Sequence, residues 1–230
     1  MSQFEGKHVV VTGGAGGLGG GVVNALLAEG ATVHVPAFED EAPAHLASLS
    51  GCDVVTSVNL VDESAVAGYY DSLPSLWASI HVAGGFAMAP ALDTALADFR
   101  KMLEMNVVTC FLSSREAARK MRASGQGGRI VNVAAGPAVK PTAGMIAYAT
   151  AKSAVAAMTE HLALELKGDS IFVNAVLPSI IDTPANRAAM PDADHALWPT
   201  PAELAATMVQ LASPANTLTW GALVPVYGRA

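Results

Sequence analysis

Short β-branched runs alternate along the chain with longer stretches whose apolar positions recur every three to four residues. The runs predict strands at 7–11 (KHVVV), 31–36 (ATVHVP), 52–56 (CDVVT), 78–83 (ASIHVA), 128–134 (GRIVNVA), 170–176 (SIFVNAV) and 222–226 (ALVPV). The periodic stretches predict helices at 18–29, 62–73, 93–104, 105–123, 147–167 and 201–212. Strands that are apolar almost throughout and separated by helices belong to a parallel sheet covered on both faces. The expectation is α/β: a single doubly wound domain over 1–230, with a seven-stranded parallel sheet and helices on both faces. The one long irregular segment, 178–200, is rich in Pro, Asp and Ala, and a segment of that kind is expected to be a substrate lid.

Composition narrows the partners. Hydrophobic residues make up 52% of the chain and charged ones 14%, which points to broad buried surfaces, subunit contacts among them. Between Lys7 and Arg100 there is no Lys or Arg, while ten carboxylates fall in that stretch. A nucleic-acid face needs clustered cations, so nucleic-acid binding is not expected. No apolar run reaches the ~20 residues of a membrane span, and the N-terminus has no h-region of signal-peptide length, so a cytoplasmic protein is expected. Cys52 and Cys110 lie in apolar contexts without metal-ligand spacing and read as buried thiols; no metal site is expected.

The stretch VVVTGGAGGLGGG follows the first strand and opens the first helix. Glycines there let the backbone approach a pyrophosphate, and a helix start supplies N–H groups and a positive dipole. Gly13, Gly17, Leu18 and Gly19 are therefore candidate dinucleotide-binding residues, in a Rossmann-type arrangement. A 2′-phosphate needs a nearby cation, and residues 8–99 offer none, so NAD is expected, with NADH preferred over NADPH. Glu39, with Asp40 beside it, is placed to accept the ribose hydroxyls, either residue alternatively being an exposed acidic turn. Asn59, after the third strand, is a candidate for the adenine edge.

Tyr148 and Lys152 are four apart on one helix and share a face. An ammonium at about 4 Å in an effective dielectric of about 20 favours the phenolate by about 4 kcal/mol, enough to bring a tyrosine into working range as an acid–base group. The strand before them ends in Ala134 and Ala135. His81 is either a packed strand-end residue or a catalytic one. In the irregular segment, His195 and Trp198 either offer a donor and a stacking ring to a planar substrate or anchor the lid. Arg187 either recognises an anion or caps the lid.

These motifs resemble the short-chain dehydrogenase/reductase family over nearly the whole chain: Thr12-Gly13-Gly17-Gly19, HVAGG (81–85), Asn106 in EMNVV, Tyr148 with Lys152, and LPSIIDT (177–183). The resemblance implies a proton-relay water held at Asn106, and nicotinamide-side contacts from Gly84, Lys152, Pro178, Ile181 and Thr183, with Ser179 where the family has glycine. It also implies a substrate-gripping serine at the position occupied by Ala135, and a homodimer or homotetramer built on helices 105–123 and 147–167. AGGF, GMIAYATAKSAV and 177–204 are similar to the dihydropteridine reductase branch, which has alanine at that position. That similarity implies hydride transfer from NADH to an activated conjugated acceptor such as a quinonoid dihydropteridine. A general carbonyl or alcohol reductase, or an NAD-binding regulatory protein that has lost its chemistry, stand as alternatives.

Overall fold

A computed structural model describes residues 2–229. Seven parallel strands form one sheet in the order β3-β2-β1-β4-β5-β6-β7. They are β1 (His8–Thr12), β2 (Thr32–Pro36), β3 (Cys52–Val55), β4 (Ala78–His81), β5 (Gly128–Val133), β6 (Ile171–Pro178) and β7 (Leu223–Val226). All seven lie where the apolar runs predicted them, with ends displaced by one or two residues. Burial follows position: every residue of β4 and β5 is buried, whereas the edge strands β3 and β7 are only partly covered. Side chains alternate between the two faces along each strand. Val9 and Val11 pack against α1 (Gly17–Ala28) and α8 (Pro201–Ala212). Val10 packs on the other side with α3 (Glu63–Ser72), α5 (Thr109–Ser124) and α6 (Ile146–Leu166).

Two helices escaped the periodicity, α2 (Ala44–Ala47) and α7 (Pro184–Ala189), each too short to show a repeat. The start of α7 was nonetheless written locally, as a Thr183 cap followed by Pro184. The helices expected at 93–104 and 105–123 are one continuous run. α4 (Leu96–Leu103) passes through a π-helical turn, Glu104–Val108, into α5. Cys110 is buried, as expected, but Cys52 is only partly so.

The chain begins in the middle of the sheet, builds outward to β3, then crosses to β4 on the other side of β1. The loops after β1 and β4 therefore diverge, opening a crevice at the carboxyl ends of the strands, where open α/β sheets bind ligands. No helix among the described residues is long and apolar enough to cross a membrane.

Candidate active site

The crevice is shaped by missing side chains. Gly13 has φ +68°, and a Cβ there would lie 2.7 Å from the backbone nitrogen of Ala83. A Cβ on Gly19 would overlap the Gly13 carbonyl, so the turn closes only on glycine. A Cβ on Gly17 would come within 3.3 Å of the Thr183 methyl, which places the start of the irregular segment beside the glycine turn. α1 starts at Gly17 with no side-chain cap, whereas α3 is capped by Asp62 and α8 by a Thr200–Glu203 capping box. The first N–H groups of α1, those of Gly17, Leu18 and Gly19, are thus left for an anion. The residues present fit a dinucleotide pyrophosphate.

At the adenosine end the structure separates the two carboxylates. Asp40 accepts from Ser57 Oγ at 2.9 Å, and the Glu39 main chain accepts from Ser57 N at 2.9 Å. Both carboxylates are exposed, and that of Glu39 makes no hydrogen bond of its own among the described residues. Asn59 Oδ1 accepts from Val61 N at 3.2 Å, holding its own turn.

At the chemical end, Lys152 is buried and donates from Nζ to the Val133 carbonyl at 2.8 Å. Burial pulls its pKa down to about 8. Tyr148, one turn earlier on α6, has its ring centroid 5.9 Å from that Nζ. The expected lowering of the phenol is absent: burial pushes Tyr148 up to about 12. Desolvation of the phenolate dominates. The Phe86 ring meets Tyr148 edge-on, with centroids 4.9 Å apart and planes at 78°. Ala134 and Ala135 follow Val133 directly and are both buried.

Asn106 sits in the π-helical turn, and its side chain is fully engaged. Nδ2 donates to the carbonyls of Met102 (3.0 Å) and Gly85 (3.1 Å), and Oδ1 accepts from Gly85 N at 3.3 Å. It ties the loop after β4 to the helix. Gly84 lies between the two helices: a Cβ there would be 2.6 Å from Asn106 Oδ1 and 3.5 Å from Lys152 Nζ.

The irregular segment is clamped at both ends. Ser179 donates from Oγ to the Tyr227 carbonyl at 2.8 Å, and Arg229 N donates to Leu197 O at 2.9 Å. Pro178 ends β6, and Ile181 packs onto the core beneath α1. Trp198 is only 7% exposed and lies against His195, ring centroids 4.7 Å apart and planes tilted by 47°, as in the anchoring alternative. His195 is held to Met190 O at 2.8 Å, and Arg187 pairs with Asp182. Among the described residues no His, Cys, Asp and Glu cluster has the form of a metal site.

His81 belongs to a buried chain of hydrogen bonds. Thr159 Oγ1 donates to Val155 O, so it accepts from Asn132 Nδ2, which turns Asn132 Oδ1 toward His81 Nδ1 at 2.8 Å. His81 Nε2 is then an acceptor from Ser79 Oγ, which in turn accepts from Tyr70. Burial lowers the His81 pKa to about 4 and keeps it neutral. The packed alternative holds: His81 links β4, β5 and α6 rather than meeting a substrate.

The glycine turn, Gly84, Asn106, Tyr148, Lys152, Ala135, Pro178 and Thr183 thus frame one crevice. Phe86 and the Val133 carbonyl were missed. An aromatic residue directly after Gly84-Gly85 was a readable signal; a backbone carbonyl carries none.

A family model described as short chain dehydrogenase matches residues 7–194. The Escherichia coli (strain K12) cyclic-di-GMP-binding biofilm dispersal mediator protein is 32% identical over 99% of this chain and 98% of its own length. Sorbitol dehydrogenase of Cereibacter sphaeroides is 28% identical, over 78% of this chain and 72% of that protein. A solved short chain dehydrogenase/reductase family protein superposes with TM-score 0.90 at 29% identity, over 98% of this chain and 97% of the other.

Proposed function

The chain belongs to the short-chain dehydrogenase family, and on that premise we propose that it uses NADH to reduce an activated, conjugated acceptor, a quinonoid dihydropteridine being the acceptor to test first. The coarser statement, an NAD(P)-dependent dehydrogenase/reductase, follows from membership.

Bound NADH would supply the hydride. In this reading Gly13, Gly17, Leu18 and Gly19 hold its pyrophosphate, Glu39 its adenosine ribose and Asn59 the adenine edge. Gly84, Lys152, Pro178, Ile181 and Thr183 surround the nicotinamide end. Tyr148 delivers the proton. A phenol raised to about 12 stays protonated at neutral pH, which suits a donor in the reductive direction. The Lys152 charge, 5.9 Å from the ring, then favours the phenolate left behind. Residues 178–200 act as the lid, the whole of 1–230 as one catalytic domain, and α5 and α6 as the surfaces joining a dimer or tetramer in the cytoplasm.

The observation that carries the acceptor class is the pair of buried alanines after the carbonyl that holds Lys152. A missing hydrogen-bond donor to a developing oxyanion costs about 2.7–4 kcal/mol. An electron-poor conjugated acceptor tolerates that loss, and a simple ketone does not. The test is loss of NADH absorbance with the dihydropterin generated in situ, Tyr148→Phe lowering turnover at least ~100-fold with NADH affinity little changed. Turnover of an ordinary ketone alone would move the protein to the general reductases.

A second reading is favoured by the relative named for binding cyclic-di-GMP: a nucleotide messenger, rather than a turned-over cofactor, sits in the glycine turn. Displacement of NADH by cyclic-di-GMP, with no acceptor reduced, would support it.

A further inference from the structure

The loop 82–95 after β4 reaches Tyr148, the loop 134–145 after β5 leads into the helix that carries it, and 179–200 follows β6 at the same end of the sheet. Phe86 of the first lies against the Tyr148 ring. Ala89 donates to Gly144 O at 2.8 Å, which binds the first loop to the second. Thr183 of the third packs toward Gly17.

The polar side chains of these loops are nearly all committed to one another or to the frame. Thr94 donates to Pro90 O and Thr142 to Lys140 O. Lys140 lies over the Tyr227 ring at 4.6 Å, and Ser179 donates to Tyr227 O. Asp182 and Arg187 form a two-bonded pair. Thr183 caps α7, Asn186 donates to Ile181 O, Asp194 accepts from Ala196 N, and His195 is bonded to Met190 O. The remaining polar side chains are Asp93 and Asp192, both exposed and both acidic. Beyond the loops, Lys101 of α4 borders a cleft with Phe86, and Asp98 borders the same cleft.

What the loops do expose is apolar. Phe86 and Met88 are each 58% exposed, Val139 is 50% and Ile180 42%. Apolar side chains left open beside a reactive group, with no uncommitted cation in the loops around it, suit an uncharged ring. A carboxylate or phosphate entering here loses water and finds a cation only at the border of the cleft, where Lys101 stands with Asp98; a polyol finds few hydrogen-bond partners.

We propose that the acceptor is an uncharged, planar conjugated ring that packs on Phe86, and that the site rejects anionic substrates and open-chain polyols. This rests on the reductase reading and narrows it. In the step, a hydride from NADH and one proton from Tyr148 add to the acceptor, giving NAD⁺ and the two-electron-reduced product; solvent reprotonates Tyr148.

The experiment compares an alkyl-substituted p-benzoquinone with the same ring bearing a carboxylate, and both with a ketose, in the presence of NADH. The neutral quinone is expected to have kcat/KM at least ~10-fold above the other two. Phe86→Ala is expected to raise KM for the neutral ring at least ~10-fold with NADH affinity little changed, and Phe86→Trp to restore it. Equal or faster turnover of the carboxylate quinone or the ketose, or an unchanged KM in Phe86→Ala, overturns the inference. If nothing turns over, the reductase reading itself fails. Calorimetry of the two quinones with the Tyr148→Phe protein then decides the inference separately: it stands on tighter binding of the neutral ring and falls on equal affinities or on no binding.

Discussion

Lys152 donates its ammonium to the main-chain carbonyl of Val133 at 2.8 Å, so the last residue of β5, rather than Tyr148, fixes where the lysine points. The same strand end carries Ala134 and Ala135, each no more than 5% exposed. The buried cation and the two alanines thereby become neighbours, and α6 is tied to the end of β5.

Ala135→Ser adds a hydroxyl at that strand end. Activity on a simple ketone is expected to rise about tenfold or more, while activity on a conjugated acceptor stays flat or falls. Steady-state kinetics on one ketone and one quinone checks this; parallel changes in both would show that Ala135 does not face the reacting oxygen.

We propose that charge decides the cofactor. There is no Lys or Arg between residues 8 and 99, so a 2′-phosphate bound among them would meet the Glu39 and Asp40 carboxylates with no counter-charge from that stretch. NADH is expected to bind at least ~10-fold more tightly than NADPH, about 1.4 kcal/mol. Comparable dissociation constants by titration calorimetry would refute it.

Gly13→Ala introduces a side chain where φ is +68° and the Ala83 nitrogen would be 2.7 Å away. Thermal unfolding should register a loss greater than about 1 kcal/mol, and NADH affinity should fall with it because the turn can no longer close. A variant with wild-type midpoint and affinity would mean that the loop after β4 gives way freely.

His81 makes stability depend on pH. Its folded pKa is depressed from 6.5 to about 4, so the unfolded chain binds the extra proton between those values. The contribution is complete above pH 6.5, declines as pH falls toward about 4, and is constant below. It amounts to about 3 kcal/mol. Urea unfolding from pH 7 to pH 4 should show a steeper loss for the wild type than for His81→Asn, which cannot titrate. Equal slopes would place the proton uptake elsewhere.

Local features were legible in the sequence because one element's backbone geometry suffices to produce them. Alternation and near-continuous apolar character marked every strand. The four-residue spacing placed Tyr148 and Lys152 on one face of α6, and glycines at 13, 17 and 19 opened the turn before α1. What the tertiary structure alone decided concerns partners and water, which residues distant in the chain supply. Asp40 looked equivalent to Glu39 until Ser57 was brought beside it. Trp198 reads in sequence either as a stacking ring or as a lid anchor, and its burial against His195 favours the anchor. The phenol of Tyr148, expected to be lowered by a nearby lysine, is raised because burial removes water from it. Spacing along a helix brings two groups together; whether either is free to act depends on desolvation and on bonds made across the fold.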